Sequence, residues 1–282
     1  MSRPGCRYGN QRRAESGARE MEESELAVKS SRAVFEVLRE ISKADAALGA
    51  ADVARILSLP ITTAARALAT LEAAGFVIRQ NGAARFAIGK SGQRLAYAFM
   101  AQFPIRDLAL PYLQQLTLLS GYSSSLFVRL GWYSVRIALI SGTSSIVNVA
   151  PIGETRPLTS SAPSLAMLAQ LPDDEFARAL ARSGRPANLR EQCERIRVQG
   201  YAYHVSSLES GGYDLAFPVI DPSRSVLASI ALEGLLISLE NSPSQIDQAR
   251  QVISVLQGIV ARGSDVLAPH YEHVDPDEID LG

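Results

Sequence analysis

Cysteine is nearly absent from this chain: two residues in 282, Cys6 and Cys193, stand far apart. A disulfide framework is thereby excluded, and such sparse usage fits a reducing cytoplasm. Histidine is almost as scarce, with three residues, and no Cys/His set at ligand spacing points to a structural zinc. His270 and His273 fall beside acids in a C-terminal tail, where any metal binding would be adventitious. Charge of one sign is also lacking. The formal net charge is −1, so the chain as a whole does not attract a polyanion, and any basic surface has to be local. No apolar run approaches the roughly 20 residues needed to span a bilayer. The arginines of the N-terminal MSRPGCRYGNQRRAESGAREMEES are not followed by the apolar segment of a secretory signal. The expectation is a cytoplasmic protein with no membrane partner.

Enzyme signatures are missing too. Gly89-Lys90-Ser91 resembles the end of a phosphate-binding loop, but Ala84 stands where that motif requires its first glycine. There is no Gly-x-Ser-x-Gly elbow. Neither catalysis, a metal nor a cofactor is indicated.

What is present is an ordinary globular composition, 47% hydrophobic and 20% charged, in a chain longer than the usual single domain. The organising stretch is Leu59 to Gly75, LPITTAARALATLEAAG, followed by FVIRQNGAARFAIG. Before it, SRAVFEVLREISK places Val34, Leu38 and Ile41 on one helical face, and ADVARILS does the same with Val53, Ile56 and Leu57. Between them, ADAALGA reads as a loop. Pro60 marks a helix start, Thr62 or Thr63 is positioned to cap it, Ala64, Leu68 and Leu71 point inward, and Gly75 supplies the stop. Phe76 to Ile78 and Arg85 to Ile88 read as strands joined through Asn81-Gly82. Three helices followed by a hairpin predict a winged helix-turn-helix over 25–90. Residues 25–90 hold nine basic residues against six acidic ones, a modest local excess of the kind a phosphate-binding module needs.

On that helix Arg66 is the candidate for a guanine edge, with Ala65 or a threonine methyl against thymine. Thr62, Thr63 and the N–H groups at the helix start suit phosphate. Arg85 on the hairpin and Lys29 before the first helix are further phosphate or minor-groove candidates. Each of these also has a plain alternative as a cap or a solvated surface charge. The tail, 1–24, reads as a disordered, solvated segment; the lesser alternative is a DNA-clinging arm built on Arg3, Arg7, Arg12 and Arg13, which Glu15, Glu20, Glu22 and Glu23 offset.

Beyond it, SGQRLAYAFM predicts a helix leading to Pro104 (91–104), and Ile105 to Ser120 another. The period then changes to strands: SSSLFVRL and YSVRIALI around Gly131-Trp132, then IVNVAPIG. PLTSSAPSLAMLAQL, Asp173 to Arg182 and Asn188 to Gln199 read as helices. YAYHVSS, YDLAFPVID and SVLASIALEG return to strands, and a last helix runs from about Ser242 to Val260. Strands separated by short turns and covered by helices predict an α+β domain with an antiparallel sheet over 105–265, before an acidic, disordered tail, 266–282.

VKSSRAVFEVL, LPITTAARALATLEAAGFV, PLTSSAPSLAMLA and GYAYHVSSLESGGYDLAFPVID, in this order, resemble the IclR family of bacterial transcriptional regulators. The resemblance runs from about Val28 to Leu267. It implies a winged helix-turn-helix joined by a linker helix to a GAF-like effector-binding domain, working as a homodimer or a dimer of dimers on double-stranded operator DNA. The chain departs from the family's pattern at three DNA-binding positions. Ser58 stands where glycine is usual, and Ile61 and Ala65 replace a lysine and a histidine.

The resemblance also implies an effector pocket at Ser161, Ala162 and Pro163, His204, Asp214, Ala231 and Glu233. Here two carboxylates stand with one histidine where relatives that bind small acids carry other polar groups. Such a set disfavours an anion unless the histidine is protonated, so the expectation is an effector that is neutral, amine-bearing or rich in donors, or a pocket that has lost small-acid binding. Asp214 has a plain alternative as a turn cap or arginine partner, and His204 as a structural residue. Glu233, inside the apolar SIALEGLL, needs a partner if buried. The function expected is ligand-regulated DNA binding. The alternative is a sensor or interaction protein whose DNA-binding domain has decayed.

Overall fold

The computed structural model describes residues 30–44, 46–80, 82–143, 150–183, 186–205, 212–235 and 243–262. Both tails, with Lys29, His270 and His273, lie outside the described residues, as do Asn81 and the first half of the predicted IVNVAPIG strand; its second half, 150–153, is loop and turn instead of strand, Pro151 having no N–H to give a ladder. The chain divides into two compact units between Phe99 and Met100.

The first unit holds α1 (30–43), β1 (Leu48–Gly49), α2 (Ala50–Leu57), α3 (Ile61–Ala73), β2 (Val77–Arg79), β3 (Arg85–Ile88) and α4 (Lys90–Met100). Its core joins Val37 and Ile41 of α1, Val53 of α2, Ala64, Leu68 and Leu71 of α3, and Val77 and Phe86 of the hairpin. The inward faces follow the apolar period with two corrections. Val37 is the fully buried residue beside Ile41, with Val34 and Leu38 partly buried against the same core, and Ile56 is exposed while Val53 and Leu57 of α2 pack inward. Leu48–Gly49, expected as loop, adds a third antiparallel strand in the order β1-β3-β2. Two residues are too few to display a period.

Ser58 occupies the left-handed region at φ 54°, ψ 38°, where an ordinary residue costs about 1 kcal/mol relative to glycine. The Leu59 N–H then donates to the Ala54 carbonyl at 2.9 Å, which closes α2 and turns the chain into α3. Pro60, with φ fixed near −58°, is itself the residue before the first turn, and no side chain caps α3. Thr62 and Thr63 therefore sit inside that turn and do not cap it, because the proline starts the helix early. Gly89 seals the hairpin to the end of α3: a Cβ there would lie 2.5 Å from the Gly75 carbonyl oxygen.

The second unit holds α5 (Ile105–Ser120), β4 (Ser123–Leu130), β5 (Tyr133–Ile140), β6 (Thr155–Pro157), α6 (Ala162–Leu168), α7 (Asp173–Ser183), α8 (Pro186–Gln199), β7 (Ala202–Val205), β8 (Gly212–Ile220), β9 (Val226–Leu235) and α9 (Pro243–Val260). The strands form one antiparallel sheet in the order β6-β5-β4-β9-β8-β7. Helices α5 and α9 pack on one face and α6 on the other.

Strand alternation sorts the three consecutive serines of β4. Ser124 turns to α5, where its Oγ donates to the Leu113 carbonyl at 2.8 Å and pairs with Thr117 Oγ1 at 2.7 Å. Ser123 and Ser125 turn to the α6 face. On that face Ala202, Ala216 and Ala231 stand side by side on β7, β8 and β9. Their small side chains let α6 press close to the sheet, and every residue of α6 is buried.

Candidate functional site

The first site is built on α3. Thr62 and Arg66 are exposed, and Thr63 is half-buried on the same side of the helix. Among the described residues, most cations of this unit are already engaged. Arg32 pairs with Glu36, Arg39 and Lys43 with Glu40, Arg55 with Asp52, and Arg79 with Glu72. Arg85 is tied inward: its guanidinium donates to the Ala47 carbonyl at 2.7 Å and lies 3.5 Å from Asp52, fastening the wing to the start of α2. Among the described residues, Arg66, Lys90 and Arg94 are the cations of this unit with no acidic partner within 4 Å. Arg66 is the one on α3.

The second site lies on the α6 face of the sheet. Register aligns Ser123, Glu233, Asp214 and His204 in one row across β4, β9, β8 and β7. The sequence therefore brought three of its seven effector candidates together as neighbours. Ser161 is fully buried, with its Oγ 2.8 Å from Ser164 Oγ, which in turn lies 2.8 Å from Ser134 on β5. Ala162 and Ala231 belong to the apolar core, and Pro163 is buried in the first turn of α6.

Sequence reasoning missed the residue that holds Glu233 of this row. Arg136 on β5 is 0% exposed, and its two terminal nitrogens meet the Glu233 carboxylate in a fork at 2.6 and 2.7 Å. Glu233, 5% exposed, also accepts from Ser125 Oγ at 2.8 Å. Arg136 further donates to Ser125 Oγ and to Glu154 at 3.1 Å, and its guanidinium carbon stands 4.7 Å over the Phe127 ring. Its Nε is the one donor left without an acceptor. Glu154 is held in turn by Arg156 at 2.7 Å, and Arg156 lies 3.6 Å from Asp214. A signal was available: YSVRIALI and SIALEGLL each carry a single charge, of opposite sign, inside an apolar strand, and such charges are buried only in pairs.

The electrostatics correct the expected pair of uncompensated carboxylates. Burial works against the Arg136 charge, but hydrogen bonds and attraction from Glu233 and then Glu154 outweigh it and raise its pKa. Burial, reinforced by repulsion from Glu233, pushes the Asp214 carboxyl from the ordinary 3.8 up to about 7, with Arg156 and Arg136 opposing. Burial and the positive charge of Arg156 lower the pKa of His204, so the imidazole is neutral at pH 7. Two arginines, Arg136 and Arg156, thus stand among the three carboxyl groups of Glu233, Glu154 and Asp214. Cys193 is inert: burial raises its thiol to about 11. A separate groove of about 480 Å³ runs along β7, lined by Gln192, Arg195, Tyr201 and Tyr203 among others, and none of the seven candidates lines it.

Residues 97–254 match the domain family described as bacterial transcriptional regulator IclR C-terminal, and residues 34–81 match the IclR helix-turn-helix domain. The chain belongs to the IclR family. Among curated relatives, the HTH-type transcriptional repressor AllR of Salmonella typhi is 26% identical over 208 residues, covering 70% of this chain and 76% of the relative. Among solved structures, the Thermotoga maritima IclR superposes with a TM-score of 0.68 at 23% identity, over 84% of this chain and 98% of that one. An IclR homolog from Microbacterium hydrocarbonoxydans, complexed with 4-hydroxybenzoate, gives 0.64 at 19% identity, over 82% and 99%. These likenesses agree with the winged helix-turn-helix and the α+β C-terminal domain. The IclR-family chain is therefore a transcriptional regulator with an N-terminal DNA-binding domain, and among the described residues no helix is long and apolar enough to cross a membrane.

The Asp214 carboxyl gives this domain a defined pH dependence. The unfolded chain releases this proton near 3.8 and the folded chain near 7, so between these values the folded state holds the extra proton and stability falls as pH rises. Above pH 7 the full cost remains. Asp214→Asn should raise the thermal midpoint over wild type by several degrees at pH 8 and by progressively less toward pH 5, read by paired melts across that range.

Proposed function

We propose that this regulator binds its operator as a homodimer through α3, with Arg66 as the principal base-reading side chain, and that a small molecule on the α6 face of the sheet changes its DNA affinity. The observation that carries the DNA half is the state of Arg66: it is exposed on α3 with no acidic partner, while the other arginines of α1–α3 and the hairpin are paired within the unit. Thr62 and Thr63 in the first turn suit phosphate. Arg85 fixes the wing, and phosphate contact would require it to leave Ala47. Lys29 stays a candidate on sequence grounds. One winged helix covers one half-site, so two chains are needed for a two-fold operator. Helix α4, which has no buried residue and exposes Leu95 and Tyr97, supports pairing with a second copy. The enterobacterial relatives are named repressors, and repression is the sign we propose.

For the effector, the groups proposed to meet it are Asp214 and His204, with Ser161, Ala162 and Pro163 bounding the site and Glu233 and Ala231 forming its floor. No hydrogen bond to Asp214 is formed among the described residues, whereas both oxygens of Glu233 are committed. A carboxyl without donors beside a neutral imidazole favours a ligand that brings N–H or O–H groups, neutral or amine-bearing. The ligand of the Microbacterium homolog is not carried over, because the guanidinium best suited to a carboxylate is already occupied.

Arg66→Ala should weaken binding to the selected operator by about 1–3 kcal/mol and relax preference at one base pair; unchanged affinity in a titration at fixed salt would remove Arg66 from the interface. A selection from random DNA that enriches no sequence would favour the decayed-domain alternative. A calorimetric screen of small acids, amides, polyols and amines should find its hits among the last three classes. Tight binding of glyoxylate, pyruvate or an aromatic acid to the wild-type chain would overturn the ligand class.

A further inference from the structure

The Arg136–Glu233 contact has the form of a ligand complex whose ligand is part of the chain. Three donors converge on one carboxylate: two guanidinium nitrogens from β5 at 2.6 and 2.7 Å, and Ser125 Oγ from β4 at 2.8 Å. Yet the carboxylate comes from β9, which is separated from β5 by β4. The Arg136 and Glu233 side chains meet over that intervening strand, where Ser125 of β4 joins both. What binds the head group is the β4–β5 pair, and β9 supplies only the tether.

We propose that Glu233 is a built-in carboxylate ligand of Arg136: it fills a carboxylate site that would otherwise take a small free acid, and so determines that this domain does not respond to such acids. The inference rests on reading this sheet face as the effector site.

The surroundings favour a receptor that persists without its tethered ligand. The second terminal nitrogen of Arg136 is also held by Glu154 at 3.1 Å, and Glu154 is braced by Arg156 at 2.7 Å. The guanidinium also lies against the Phe127 ring. These contacts keep the fork aimed when Glu233 is shortened. Truncation of Glu233 to alanine removes a CH2–COO⁻ group, so the space left has the size and shape of acetate. Without Glu233, Arg136 keeps only one carboxylate contact, that of a single nitrogen to Glu154 at 3.1 Å, and a buried guanidinium left short of partners favours admitting a carboxylate from solution. Access runs along the edge of the cluster, where the side chains of Arg156 and Glu154 are 31% and 21% exposed and Asp214 is 19% exposed.

The test uses the full chain with Glu233→Ala, sodium acetate as the probe, and sodium chloride and acetamide as controls at matched ionic strength. Thermal shift and calorimetry should show saturable acetate binding by the variant, at least about tenfold tighter than by wild type, with no response to acetamide. Equal acetate affinity in the two proteins, or a variant that treats acetate, chloride and acetamide alike, would overturn the proposal. If the variant does not fold in chloride, it is refolded from denaturant in both salts. Recovery in acetate alone supports the proposal, and no recovery in either overturns it. Glu233→Gln keeps the space filled and must stay insensitive to acetate. The readout is acetate occupancy and neither DNA binding nor a natural effector, so failure here leaves the ligand screen standing, and a fruitless screen alongside acetate rescue would remove only the effector reading.

Discussion

A buried guanidinium and a buried carboxylate, Arg136 and Glu233, set the terms for the rest of the C-terminal domain. Neither charge tolerates the apolar interior alone, and leaving one without the other typically costs about 3–5 kcal/mol. Their fork crosses three strands and so fixes β5, β4 and β9 relative to one another on the α6 side of the sheet. The alanines beside the pair allow α6 to lie close, and Ser134, Ser164 and Ser161 link the start of that helix to the strand that carries Arg136. Because a buried ion pair is often no more stabilising than well-packed apolar side chains, its importance here lies in specificity. It commits the Arg136 guanidinium, and in the proposed reading it leaves Asp214 and His204 as the polar groups that meet a ligand.

The DNA-binding unit uses its charges in the same economical way. Its positive excess over 25–90 is small, and much of it is spent in surface pairs such as Arg79 with Glu72 and Arg85 with Asp52, each of which contributes little to stability. Those pairs shape the wing and the helix ends. In the proposed reading, sequence preference is then left to Arg66 on α3, to methyl groups, and to the shape and deformability of the duplex.

Much of this architecture was legible in the chain. Helix periods placed α3, α5, α7 and α9 to within a residue or two, and turn signals placed the β4–β5 hairpin, because these elements bury one face and the sequence repeats that demand. Local features escaped where the deciding contact was not local. Leu48–Gly49 becomes a strand only because Phe86 and Arg85 lie opposite. Thr62 and Thr63 lost the cap to Pro60. Register brought Glu233, Asp214 and His204 side by side, as the family resemblance implied, but their chemistry was misjudged because Arg136 and Arg156 come from strands about a hundred residues earlier for Glu233 and about sixty for Asp214. The lone charge in each of two apolar strands was the legible trace of that pair.

A double-mutant cycle on the central pair bears most directly on this account. Arg136→Met, Glu233→Leu and the double variant would be compared by equilibrium unfolding at pH 7. The account predicts that each single change is severely destabilising, that the double variant is closer to wild type than either single, and that the coupling is about 3 kcal/mol or more. Additivity within about 0.5 kcal/mol would contradict it and leave Arg136 and Glu233 as independent residues with no common role.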